Sequence, residues 1–242
     1  MTSADPDPRL RAAYDAVYRR GSVAPQSIET TRWPRDRNEA ALFLAGRGQR
    51  VLEVGCGDGD VLRALTTRFE QVVGVELSPN RVANSRHRLE DRENVAVHEG
   101  DVEAGLPFPK EHFDCVVWAD VIEHVVDVWA AMREIVRVLE PGGRLVTVTP
   151  NIAGIRKRVT LLRGRFPSTS GRSEGIDVRE GELFDGGHLH YFTFSSIEAL
   201  YRAEGLEPTG RLGFGRFGRA HHARPNLLSG SVAVVGIRPL NA

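Results

Sequence analysis

Short valine-rich runs, apolar on both faces, alternate along this chain with longer stretches whose apolar residues recur three and four apart, and this alternation narrows the possible folds most. The runs are "RVLEV" (50–54), "QVVGV" (71–75), "NVAVHE" (94–99), "FDCVVWA" (113–119) and "GRLVTVT" (143–149). Strands of that kind must be covered on both sides. The stretches between them, "GDVLRALTTRF", "SPNRVANSRHRLE" and "VVDVWAAMREIVRVLEPGG", read as helices, with Ser78-Pro79 as a start signal and "EPGG" as a stop. The spacing of Val125, Val128, Trp129, Met132, Ile135, Val136 and Leu139 predicts a core-facing stripe. Two further runs, "LEPTGRLGF" and "SVAVVGIR", follow the helix "SSIEALYRAEG" and bring the strands to seven. Strand and helix in alternation predict an α/β fold, a doubly wound and mostly parallel sheet with helices on both faces.

Composition removes several classes of function. The 242 residues suit one domain with added segments, and 32 Lys and Arg against 32 Asp and Glu leave no overall positive field to recruit nucleic acid. The start, "MTSADPDPRLRAAYDAVYRRG", is charged and lacks the apolar core of a secretion signal, and no later run reaches membrane-spanning length. A cytoplasmic protein is expected. Cys56 and Cys115 stand far apart without a CxxC spacing, so both are expected to be reduced and structural, and no metal site is expected.

The turn in "VLEVGCGDGDVLRAL" joins the first strand to the first helix, where doubly wound sheets bind ligands. Gly55, Gly57 and Gly59 let a ligand approach bare backbone. A phosphate-cradling loop needs Lys then Ser or Thr after its last glycine, but Asp60 and Val61 follow. A dinucleotide turn has another glycine spacing and room for a pyrophosphate. Here Glu53, Asp58 and Asp60 disfavour a polyanion and tolerate a cation.

"VLEVGCGDGD" resembles the first motif of the class I S-adenosylmethionine-dependent methyltransferases, and later segments agree in order over roughly residues 48–150. The resemblance implies a Rossmann-like methyltransferase fold with S-adenosyl-L-methionine as cofactor. It puts Glu53, Gly55, Gly57 and Gly59 in the turn at the cofactor, Glu76 with Leu77 at the ribose hydroxyls, Asp101 and Val102 at the adenine, and Ala119 and Asp120 beside the methyl donor. In relatives a leading helix folds over the cofactor with a tyrosine closing the site. Tyr14 and Tyr18 match that position, and both could equally just pack the helix onto the core. The implied division is 1–47 as an N-terminal helical cap, 48–150 as the cofactor-binding core, 151–187 as a flexible or lid insertion, and 188–242 as the rest of the same sheet.

The acceptor side is expected above strands four and five, from Asp120, Glu123, His124, His188, His190 and Tyr191. An oxygen or nitrogen acceptor must lose a proton, so His188 or His190, with His124 nearby, is the expected general base. "GGHLHYFTF" resembles a segment of the quinone-biosynthesis methyltransferases and of the methionine-biosynthesis protein W family, which implies a small-molecule acceptor. Arg156, Lys157, Arg158, Arg163 and Arg165, with the later "RFGRAHHARPN", could meet a phosphate or carboxylate on it, although charged runs are usually solvated. Two other readings stay open. "DVIEH" with "HLH" resembles RNA terminal 2'-O-methyltransferases, which bind a metal through two Glu and two His, but Asp120 replaces the first Glu. A non-catalytic cofactor-binding partner protein would keep Glu76 and the glycines and need no base.

Overall fold

The chain runs through α1 (Arg37–Ala45), β1 (Gly48–Val54), α2 (Asp60–Leu65), β2 (Phe69–Glu76), α3 (Pro79–Arg88), β3 (Val95–Glu99), β4 (Phe113–Ala119), α4 (Val128–Val138), β5 (Leu139–Pro150), α5 (Ile155–Leu162), α6 (Phe194–Ala203), β6 (Glu207–Arg211), α7 (Arg219–Ala223), α8 (Pro225–Leu228) and β7 (Ser231–Ile237). This is a computed structural model, and it describes residue 28, residues 33–170 and residues 184–241. The expected cap tyrosines, Tyr14 and Tyr18, lie outside the described residues. Within 151–187 the described part holds α5 and a 3-10 turn at Phe184–Gly187.

The seven strands form one sheet in the order β3-β2-β1-β4-β5-β7-β6. Pairings from β3 to β5 are parallel, while β7 runs antiparallel to both β5 and β6. The expectation of a mostly parallel seven-stranded sheet is met. The chain moves outward from β1 through β2 to β3, then returns to place β4 on the other side of β1. That reversal opens a crevice at the carboxyl ends of β1 and β4.

Alternate strand residues feed two cores, because successive side chains point to opposite faces. Leu52, Val54, Val116 and Trp118 pack with Met132, Ile135, Phe194 and Tyr201, from α4 and α6. Val51, Cys115 and Val117 pack with Ala40, Leu42, Leu62 and Val82, from α1, α2 and α3. The helix starts are set locally. The side chains of Asp36, Ser78 and Asp127 accept the N–H groups of Glu39, Arg81 and Ala130, Pro79 sits in the first turn of α3, and Thr193 forms a capping box with Ser196.

Two sequence expectations need correction. Trp129 is 49% exposed and so is no part of the core. Val128, Ala131, Met132, Ile135 and Val138 already fill the buried face of α4, and Trp129 falls outside it. "EPGG" does not simply end the helix: Leu139 pairs with Phe113 and Arg144 with Cys115, so residues 140–143 bulge out of a strand that has already begun. Asp114 accepts the backbone N–H groups of Gln49 (2.6 Å) and Arg50 (3.2 Å) and ties the start of β4 to β1.

Candidate active site

The sheet places the expected cofactor residues together, since β1, β2, β3 and β4 end side by side. Gly55 and Gly57 have φ of 73° and 56°, a region that glycine enters without strain. A Cβ at Gly55 would run into Val121 Cγ2, and one at Gly57 into the Arg81 guanidinium. Glu76 is buried at the end of β2 and grips the turn. Its Oε2 accepts the Gly57 N–H at 2.9 Å and its Oε1 accepts the Ser78 N–H at 3.0 Å. Each carboxylate oxygen keeps a second lone pair for a further donor. Glu53 lies buried beside it; burial first, then the Glu76 charge, raise its carboxyl well above the usual range. Glu53 Oε2 has no hydrogen-bond partner among the described residues.

The other two carboxylates of the turn face residues of α3. Asp60 pairs with Arg88 at 2.7 Å, and Asp58 lies 4.0 Å from Arg81 and 3.5 Å from Asn84. Thus the acidic surroundings read from sequence reduce, toward a ligand, to Glu53 and Glu76. Half-buried Leu77 follows Glu76 directly, and buried Val102 follows Asp101 at the end of β3. Asp101 Oδ1 accepts the Glu103 N–H at 2.9 Å, which shapes that loop. Gly59 is the N-cap of α2, and Ala119 is the last residue of β4. Asp120 next to it holds a φ of 56° and pairs with Arg37 at 2.8 Å. Burial raises its carboxyl and the Arg37 charge partly offsets this. Arg37 and Arg81 escaped sequence reasoning, because a charged residue in the first turn of a helix reads as a solvated one.

On the acceptor side, a long-range contact assembles residues that are far apart in sequence. The Leu189 and His190 N–H groups donate to the Glu123 carbonyl at 2.7 and 3.1 Å, and the Ile152 N–H donates to the Phe192 carbonyl at 3.0 Å. This docking brings the His188 ring to 4.7 Å from His124, centroid to centroid. Glu123 is 1% exposed and its Oε2 accepts the Thr149 hydroxyl at 2.9 Å. Burial, then the Asp120 charge, push its carboxyl up to about 8. His124 Nδ1 lies 3.1 Å from the Gly187 carbonyl, and burial lowers this imidazole. His188 falls to about 4, through burial and then the His124 ring.

Behind His188 stands Asp185, which burial alone would raise. Hydrogen bonds from Ser168, the Thr169 N–H, Ser170 and the Thr169 hydroxyl hold it at about 2. Tyr191 donates to Asp185 at 3.2 Å, and burial pushes its phenol up to about 12. His190 does not share this cluster: its ring is 6.1 Å from that of Phe192, and its buried Nε2 has no hydrogen-bond partner among the described residues. Of the expected bases, then, His124 and His188 converge with Glu123 while His190 stands apart.

Residues 52–147, running from β1 to β5, match the family model described as a methyltransferase domain. Over these residues the chain is similar to the class I S-adenosylmethionine-dependent methyltransferases. The chain is 37% identical over 132 residues to the 27-O-demethylrifamycin SV methyltransferase of Amycolatopsis mediterranei, covering 51% of this chain and 48% of that one. It is 34% identical over 116 residues to the ubiquinone biosynthesis O-methyltransferase of Bradyrhizobium diazoefficiens, covering 48% and 45%. The chain thus spans about half the length of these two curated relatives. Among solved structures it resembles an S-adenosylmethionine-dependent methyltransferase from Mesorhizobium loti (TM-score 0.62, 19% identity, 84% of this chain and 98% of that one). It also resembles the cyclase SpnF (TM-score 0.61, 19% identity, 96% and 93%). Those likenesses show the fold, and a fold hosts more than one chemistry. Among the described residues no helix is long and apolar enough to cross a membrane.

Proposed function

We propose that this protein transfers a methyl group from S-adenosylmethionine to an oxygen of a small molecule that carries a phosphate or carboxylate. The observation that carries this reading is the cluster of Glu123, His124 and His188 next to Asp120, because an oxygen acceptor must give up a proton and a carbon acceptor need not. The two relatives named above are both O-methyltransferases by name, at 37% and 34% identity.

The residues fit the cofactor. The bare glycine turn leaves backbone accessible, Glu76 has lone pairs to spare for hydroxyls, and buried Glu53 Oε2 lacks a donor among the described residues, as suits a cationic ligand. Asp101 and Val102 would flank the adenine, and Ala119 and Asp120 the amino-acid end. When bound, S-adenosylmethionine supplies a methyl carbon whose bond to sulfur breaks, the electron pair staying on sulfur, as the new bond to the acceptor oxygen forms. The protein's share is to hold the acceptor close and in line and to receive its proton at the Glu123–His124–His188 cluster. Arg156, Arg158, Arg163 and Arg165, exposed on and just after α5, would meet the anionic group.

Calorimetry tests the cofactor, and S-adenosylhomocysteine release over a panel of phenolic and hydroxy-acid acceptors tests the reaction. His188→Ala should lower turnover by roughly 10²–10⁴ with cofactor affinity nearly unchanged. Absence of cofactor binding sinks the reading, and full turnover in His188→Ala removes His188 from the chemistry.

A further inference from the structure

We propose that Asp185 and Thr169 are positioning residues for His188: they hold its imidazole with the proton on Nδ1 and the lone pair on Nε2, the atom that receives the acceptor's proton. The role of Nε2 as base rests on the methyl-transfer reading; the placement of the ring proton does not. The Asp185 side chain is 1% exposed, and a buried carboxylate is costly unless donors surround it. Donors reach both of its oxygens. Oδ1 accepts from the Ser168 hydroxyl, from the Ser170 N–H at 3.3 Å and from the Ser170 hydroxyl at 2.9 Å. Oδ2 accepts from the Thr169 N–H and hydroxyl, both at 3.0 Å, and from Tyr191 at 3.2 Å. A carboxylate offers about four lone-pair sites, so neither oxygen has room for a proton.

That arrangement decides the hydrogens around Thr169. Its hydroxyl has one hydrogen to give and stands between Asp185 Oδ2 at 3.0 Å and His188 Nδ1 at 2.6 Å. Oδ2 can only accept. A hydrogen given to Nδ1 would leave two oxygen lone pairs facing each other in a buried place. Given to Oδ2, it leaves the hydroxyl oxygen to accept from Nδ1–H, and only this choice pairs all three atoms. The bond made by one ring nitrogen fixes the state of the other, so Nε2 carries the lone pair. The His188 side chain is 8% exposed, which leaves water little access to replace Thr169.

The backbone brings these groups together. Asp185, Gly186 and Gly187 have φ of 43°, 68° and 86°, a left-handed run that strains a residue with a Cβ, though Asp bears it better than most. A Cβ on Gly186 would come within 2.8 Å of Ser170 Cβ, so this turn lies directly against residues 168–170. The His188 N–H returns to the Asp185 carbonyl at 3.3 Å, and Nδ1 comes to 3.9 Å from Oδ2. The same ring meets His124 edge-on, with centroids 4.7 Å apart, and lies beside Glu123. In the chemical step the acceptor's O–H bond breaks, its proton binds Nε2, and the electron pair left on oxygen forms the bond to the methyl carbon. The Nδ1 proton stays where it is. The Asp185 charge, on the far side of one hydroxyl, favours the ring cation without taking a proton itself.

The test is long-range proton–nitrogen correlation NMR on full-length protein with isotope-labelled histidine, at about pH 7.5, where an imidazole of ordinary value is neutral. The His188 signals are those missing from His188→Gln. The expected wild-type spectrum has the proton on Nδ1. Thr169→Val, which keeps the shape and removes the hydroxyl, should lose that preference, and Thr169→Ser should keep it. Asp185→Asn, checked for folding by circular dichroism, should weaken it. A wild-type proton on Nε2 overturns the proposal, and that result needs no variant. If Thr169→Val or a folded Asp185→Asn leaves Nδ1 fully protonated, that residue does not position the ring and the proposal fails. Turnover on a confirmed acceptor is read separately. Thr169→Val should lower kcat at least about tenfold, with the cofactor KM within about twofold of wild type, and Thr169→Ser should restore most of the rate. Unchanged kcat in Thr169→Val overturns the part of the proposal that concerns the base. A wild type that methylates no acceptor, yet has Nδ1 protonated as expected, sinks the methyl-transfer reading alone.

Discussion

Glu76→Gln probes the residue on which the cofactor turn depends most. In the native protein one carboxylate takes two backbone N–H groups, from Gly57 at 2.9 Å and Ser78 at 3.0 Å. A glutamine keeps one acceptor and aims its NH2 at the other N–H. One charge-assisted bond is lost, worth about 1.5–3 kcal/mol, and a buried donor is left facing a donor, costing about 1–3 kcal/mol more. Part of that is recovered by local adjustment, so about 3 kcal/mol is expected. With a urea slope of about 3 kcal/mol/M, the unfolding midpoint should fall by about 1 M. The measurement is urea unfolding by circular dichroism without cofactor, beside calorimetric titration with S-adenosylmethionine, whose affinity should fall at least tenfold. A midpoint within about 0.2 M of wild type, well below the shift that slope implies, would refute the bracing role. Wild-type affinity in the variant would refute the cofactor role.

The remaining predictions concern titration and steric fit. Glu123 is pushed up to about 8 in the fold from an ordinary 4.5, so its contribution to stability is full below the ordinary value and is lost as pH rises through the folded one. His188 is lowered to about 4 from 6.5, so its contribution is present above the ordinary value and is lost as pH falls through the folded one. Relative to Glu123→Gln, wild-type stability in urea should therefore decline between about pH 5 and 8; parallel pH curves would contradict the burial of an ionisable Glu123. The ordinary imidazole value predicts a loss of turnover below about pH 6.5; for His188 the structure moves this loss toward about 4. Gly55→Ala combines a φ of 73° with a clash against Val121, so it should cost at least about 1–2 kcal/mol and weaken cofactor binding. Gly210→Ala, where a Cβ meets nothing within 4 Å, should leave both within error, and equal effects at the two positions would show that the turn tolerates side chains.

Much of this protein can be read from local pattern. Valine-rich runs and helix periodicity disclose the strands and helices, and Ser78-Pro79 or Asp127 set helix starts, because these effects act within a turn or two of chain. The residues proposed for the cofactor, Gly55, Gly57, Glu76, Asp101 and Asp120, are recognisable for a related reason: each sits at or just after the end of a strand, and parallel strands all end on the same side. Tertiary structure alone decided the rest. The antiparallel entry of β7 between β5 and β6 depends on pairing across the whole C-terminal part. The meeting of His188 with His124 depends on two N–H groups reaching the Glu123 carbonyl from more than sixty residues away, and the exclusion of His190 from that cluster follows from the same docking. Trp129 lies outside the core although its spacing resembles that of its buried neighbours. Arg37 and Arg81 acquire partners at the crevice that no spacing rule reveals. The titration of Glu123 is likewise tertiary, since desolvation is a property of everything packed around a carboxylate and of nothing within its own segment.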